Sequence, residues 1–109
     1  MDYPPPPSNI GKPGTLVFPP DGHKQHFTIA DEITRQHSGV PSKIIYLQLL
    51  RFDEDGREQI RIGYYVIGKK PRMRGRWVWG QYSTMMPVED FKWIIEQAEK
   101  KRWWIVRSG

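Results

Sequence analysis

Cysteine is absent from all 109 residues, which excludes disulfides, thiolate zinc sites and thiol nucleophiles together. Long apolar runs are missing as well. No stretch approaches the roughly 20 residues a membrane helix needs, so no membrane span is expected. The opening Met-Asp-Tyr and its four following prolines contain neither the basic nor the apolar part of a secretory signal, and a cytoplasmic location is expected. The chain also lacks a P-loop, a Gly-x-Gly-x-x-Gly and a Gly-x-Ser-x-Gly. The backbone cradles and nucleophile turns those motifs build are therefore not available, and neither enzymatic activity nor a cofactor is expected.

With 27% charged and 38% hydrophobic residues, the composition suits a folded domain, and the length suits one such domain. Net charge is +5, but its distribution says more than its size. Arg57, Arg61, Lys69, Lys70, Arg72, Arg74 and Arg76 face a single acid, Glu58, within residues 57–76, so the rest of the chain is close to neutral. A concentrated excess of this kind attracts polyanions. Five of the seven cations are arginine, whose planar fork grips phosphate through two hydrogen bonds and also stacks on bases.

Seven of the ten prolines fall in the first 20 residues, a composition that favours polyproline II. Residues 1–22 read as an extended proline-rich arm and residues 23–109 as a single domain. The apolar run 15–18 would dock the arm's end, and the four-proline run could be a ligand for a partner with an aromatic groove. Thr28 and Asp31 have the spacing of a capping box, and Gly39 with Pro41 offers a stop, so a short helix is expected near 29–37.

Lys43–Phe52 is β-branched and apolar, residues 53–56 form a turn, and residues 57–67 alternate with period two: a β-hairpin. In its second strand Ile60, Ile62, Tyr64 and Val66 share one face, and Gln59, Arg61, Gly63 and Tyr65 the other. After a basic loop at 68–75, residues 76–83 alternate again as a third strand. Pro87 opens a helix with Glu89 and Asp90 at its positive end and Lys100, Lys101 and Arg102 at its negative end. Val88, Phe91, Ile94, Ile95 and Ala98 form its apolar stripe, and residues 103–106 return as a fourth strand or clasp the helix end. The expected fold is α+β: an antiparallel meander of three to four strands, a C-terminal amphipathic helix on one face and a short N-terminal helix. This order of elements resembles, in topology alone, small transcriptional-coactivator and whirly-type single-strand DNA binders.

If the helix buries one sheet face, the other needs a reason for what it carries. Depending on register, that face receives either Trp77 and Trp79 or Arg76 and Tyr82, with Arg61 and Tyr65 beside them. Cations that track phosphates beside rings that stack on bases are what a single-stranded nucleic acid requires. The expected contacts are Arg61, Lys69, Lys70, Arg72, Arg74 and Arg76 to phosphates and Tyr65, Trp77 and Trp79 to bases. Two other classes compete. A protein-interaction module or homodimer would use Trp93, Trp103 and Trp104. A magnesium nuclease would use Asp53 and Asp55, although Asp and Gly favour a turn there on backbone grounds alone. His23, His26 and His37 could share a metal, but polar surface histidines are the simpler reading, and no metal site is assigned.

Overall fold

The computed structural model describes residues 3–18, 20–69, 74–80 and 83–104. Five strands form one antiparallel sheet in sequence order: β1 (Pro13–Phe18), β2 (His23–Gln36), β3 (Lys43–Phe52), β4 (Glu58–Ile67) and β5 (Trp77–Trp79). One helix, α1 (Val88–Lys100), packs on the sheet. The α+β meander with a packed helix is therefore as expected, with β1 and β2 added on the N-terminal side. Among the described residues no helix is long and apolar enough to cross a membrane.

The expected helix at 29–37 is instead the second half of β2. Its register passes from Ile29 opposite Leu50 to Asp31 opposite Leu49, leaving Ala30 as an extra residue. Such a bulge breaks the period-two alternation. Phe27 and Ile29 consequently face one side of the sheet, whereas Asp31, Ile33 and Arg35 face the other. Residues 13–18, assigned to the arm from the sequence, pair with residues 23–28 as an edge strand. Proline does not prevent this, because Pro13 occupies the first position of β1, where a missing N–H is tolerated.

Helix α1 lies along β2. At its start Asp90 accepts a hydrogen bond from Arg35 Nε (3.0 Å) and from Ser38 N (2.9 Å), and another from Ser38 Oγ. At its end Asp31 accepts from Trp103 Nε1 (2.8 Å) and pairs with Lys101 Nζ (3.3 Å). Between these clamps Ile94 and Ala98, both fully buried, pack on Ile33, Ile45 and Leu47. Arg102 adopts a φ of 58° and the Trp103 N–H donates to Ala98 O (3.1 Å). That reversal folds Trp103 back onto the core as a clasp; residues 105 and 106 of the expected fourth strand lie outside the described residues.

The apolar stripe of α1 is rotated from the expected one. Val88 and Phe91 are 82% and 48% exposed, while Asp90 and the half-buried Trp93 face the sheet. The two clamps cause this, since they hold the helix over β2 and β3 and leave Ile60 and Ile62 of β4 uncovered. Ile94→Ala is expected to cost about 2–5 kcal/mol of stability, whereas Val88→Ala should stay within about 0.5 kcal/mol, as measured by urea denaturation.

Hydrogen bonds from the Ser38 hydroxyl, opposed by burial and reinforced by the Ser38 N–H and Arg35, hold the Asp90 carboxyl below its ordinary pKa of 3.8. Burial pushes Asp31 up, but Trp103, the Glu32 N–H and Lys101 outweigh it and the net shift is also downward. Carboxyls with depressed folded-state pKa values stabilise the fold above their unfolded value. That contribution is lost as pH falls through the folded values. Thermal melts of the wild type should therefore fall off below about pH 4, and the Asp90→Asn variant should show a smaller acid-side decline from a lower starting melting temperature.

Candidate binding face

The face opposite α1 is assembled by two registers. In the β3–β4 pair, Tyr46 lies opposite Gly63 and Gln48 opposite Arg61; in the β4–β5 pair, Tyr65 lies opposite Trp79 and Ile67 opposite Trp77. Directly paired residues share a face, so Arg61, Tyr65, Trp77 and Trp79 come together, and the register alternative carrying Arg76 is not the one adopted. Gly63 makes the arrangement feasible. It has no side chain, and the Trp79 indole lies across it where a β-carbon would overlap the ring. From there Trp79 reaches Tyr46 and Tyr65, with centroid separations of 6.2 Å and 4.9 Å, and the two tyrosines are 4.8 Å apart. All three contacts are edge-to-face, the arrangement ring quadrupoles favour.

A row of polar side chains crosses the sheet beside these rings, from Glu32 through Gln48 to Arg61. Gln48 Nε2 donates to Glu32 Oε2 (2.7 Å), and Arg61 Nε donates to Gln48 Oε1 (2.9 Å). The guanidinium lies over both Phe27 and Trp79, 5.3 Å and 5.2 Å from the ring centroids. Burial lowers the Arg61 pKa, while Tyr65 and Glu32 act to raise it; an arginine remains cationic at neutral pH regardless. Its terminal nitrogens have no hydrogen-bond partner among the described residues. Arg61 lines a pocket of 260 Å³ together with Lys12, Asn9, Tyr65 and Trp79. Tyr46 is fully buried, and burial pushes its hydroxyl pKa well up.

The proline-rich arm lies on this face. Trp77 Nε1 donates to Pro4 O (2.7 Å), Tyr46 Oη donates to Pro7 O (2.6 Å), and the Tyr3 ring meets Trp77 edge-on at 5.9 Å. Asn9, also buried, anchors the arm: its backbone N–H and Nδ2 donate to Glu32 (3.1 Å and 3.2 Å), and Nδ2 also lies 3.2 Å from Tyr65 Oη. Asn9, Glu32, Tyr46 and Gln48 were not singled out from the sequence. One signal was available, since Gln48 interrupts an otherwise apolar run in β3.

Of the basic residues, Lys69 and Arg74 are exposed and line a 680 Å³ cavity with Tyr3, Pro4 and Ile67. Gly68 bridges to Arg74, and its N–H donates to Arg76 O (2.8 Å), so the ends of the connection are held together. Arg76 is exposed. Lys70 and Arg72 lie outside the described residues.

The competing sites are dispersed. Trp93 and Trp103 are partly buried against the helix core, Arg35 lies over Trp93 at 4.9 Å, and Trp104 is exposed. Asp53 and Asp55 sit in the β3–β4 turn, where Asp55 Oδ1 accepts from Arg57 N (3.0 Å) and Asp53 Oδ1 accepts from Thr28 Oγ1 (3.3 Å). His26 lies 3.1 Å from Thr15 Oγ1, His23 stacks on Phe18, and His37 Nδ1 accepts from Gly39 N and Val40 N. No grouping of three metal-ligating side chains occurs among the described residues.

Compared with protein-family models, curated protein sequences and solved structures, the chain matches none. Because the face depends on Trp79 crossing Gly63, Gly63→Val should displace the indole and cost about 1–3 kcal/mol. Urea denaturation would give the stability change, and a red-shifted tryptophan emission would report the displaced ring.

Proposed function

We propose that the protein binds nucleic acid without chemistry, favouring single strands and showing little sequence preference. The observation that supports this reading is that Arg61, Tyr65, Trp77 and Trp79 share one face, and that Ile67, paired with Trp77, lines a cavity with the arm and with Lys69 and Arg74 of the β4–β5 connection. Lys69, Arg74 and Arg76, with Lys70 and Arg72 of the same connection, would follow the phosphates. Bases would reach Arg61 and Trp79 through the 260 Å³ pocket. They would reach Trp77 only where the first residues of the arm give way. A nucleic-acid ligand also suits the cytoplasmic location expected from the sequence.

The runner-up, a partner-binding module, is favoured by a different observation, the peptide segment already seated on the aromatic face. A titration with labelled oligonucleotides separates the two. For single strands, the logarithm of affinity should fall with the logarithm of salt concentration, with a slope of about −0.7 per phosphate contacted. Replacing Lys69 and Arg74 together by glutamine should make that slope shallower by about 1.4. No binding at low salt, or a slope near zero, would sink the proposal, and magnesium-dependent cleavage lost in Asp53→Asn would indicate a nuclease instead.

A further inference from the structure

The contacts between the arm and the sheet follow a pattern set by the geometry of proline. Each proline holds φ near −65° and restricts the residue before it to extended conformations, so four in a row favour polyproline II. That helix has three residues per turn, and carbonyls three apart therefore point to the same side. Pro4 and Pro7 are three apart, and their carbonyls are the two that accept hydrogen bonds, one from the Trp77 indole N–H and the other from the Tyr46 hydroxyl. Proline has no N–H to offer. A receptor for such a segment must supply the donors itself, from rings flat enough to lie against the pyrrolidines.

The donors here come from β3 and β5, with Tyr65 and Trp79 forming the aromatic wall between them. Beyond the prolines, Asn9 presents the N–H groups that the run lacks, and the Glu32 carboxylate receives them. Ahead of the prolines, Tyr3 packs on Trp77. Little conformational entropy is lost on docking, because the segment is stiff before it binds.

We propose that this face is a receptor for extended proline-rich segments, occupied in cis by residues 3–9 and open to exchange for a proline-rich segment of a different protein. The partner it fits carries an aromatic residue directly before the first of two prolines spaced three apart, with asparagine two positions after the second. The assignment is independent of nucleic-acid binding, and the probe that tests it carries no phosphate. The attached arm competes at an effective concentration on the order of 1 mM, so an incoming segment binds well only when the arm is weakened.

The test uses the full chain and a dye-labelled synthetic peptide of residues 1–12. Tyr3→Ala, Pro4→Gly and Pro7→Gly in one variant loosen the arm without touching the sheet. The peptide should bind this variant at least tenfold more tightly than it binds the wild type. Adding Trp77→Phe, which keeps a ring but removes the N–H, should weaken binding about three- to tenfold, the effect of one hydrogen bond. A peptide with both Pro4 and Pro7 changed to glycine should not bind. A loosened variant that melts cooperatively yet ignores the peptide overturns the proposal, as does equal binding of the glycine peptide. Should the loosened variant fail to melt cooperatively, the wild type decides: at millimolar concentration it must raise the fluorescence anisotropy of the labelled peptide, and no rise overturns the proposal. Wild-type mass that doubles with concentration, and does not in the loosened variant, would replace the foreign partner with the arm of a second copy.

Discussion

One unpaired residue in β2 lets a single sheet build two different faces. Were Ala30 paired in a regular ladder, with no bulge, residues 27, 29, 31 and 33 would all point to the same side, since a strand repeats every two residues. With the bulge, Phe27 and Ile29 join Leu50 and Phe52 on the arm side of the sheet, while Ile33 joins Ile45 and Leu47 beneath the helix. The switch also sends Asp31 to the helix side, where it holds Trp103 and Lys101, and Glu32 to the arm side, where it receives Asn9 and Gln48. The helix clamp and the arm anchor are thus neighbouring residues on opposite faces. Loss of the bulge would exchange their sides of the sheet and undo both.

On the arm side, charge is accommodated without direct pairing. Glu32 and Arg61 stand on either side of Gln48, whose amide donates to the carboxylate and accepts from the guanidinium. Two neutral contacts, Asn9 and Gln48, satisfy the carboxylate, and two aromatic faces shield the guanidinium. A half-buried cation is tolerable in that setting because its face is covered by rings and its edge keeps access to a polar pocket. The same arrangement holds Arg61 through its Nε and its ring contacts while the side chain still lines the pocket.

The hairpin of β3 and β4 was legible because its alternation is uninterrupted and its turn chemistry is strong. The helix was legible through its charges and its apolar repeat, but not its rotation. Val88 and Phe91 fit an ideal stripe, yet ion pairs at both ends turn Asp90 and Trp93 toward the sheet, and such pairs cannot be read from the helix alone. The second strand was misread for a local reason. Its bulge breaks the period of two, and Thr28 and Asp31 imitate a helix start. The basic connection and its two tryptophans were visible as a composition, while the side of the sheet they occupy was not.

The amino-acid sequence by itself determined the stiffness of the arm, the concentration of positive charge before β5, the central hairpin and the presence of a terminal helix. Each follows from the chemistry of neighbouring residues. Only the tertiary structure decided that Trp77 and Trp79 share a face with Arg61 and Tyr65, and that the arm lies upon them. Those outcomes depend on strand register and on contacts such as Trp77 to Pro4, 73 residues apart. No local preference can specify a pairing over that distance, because it arises only when the whole sheet has assembled.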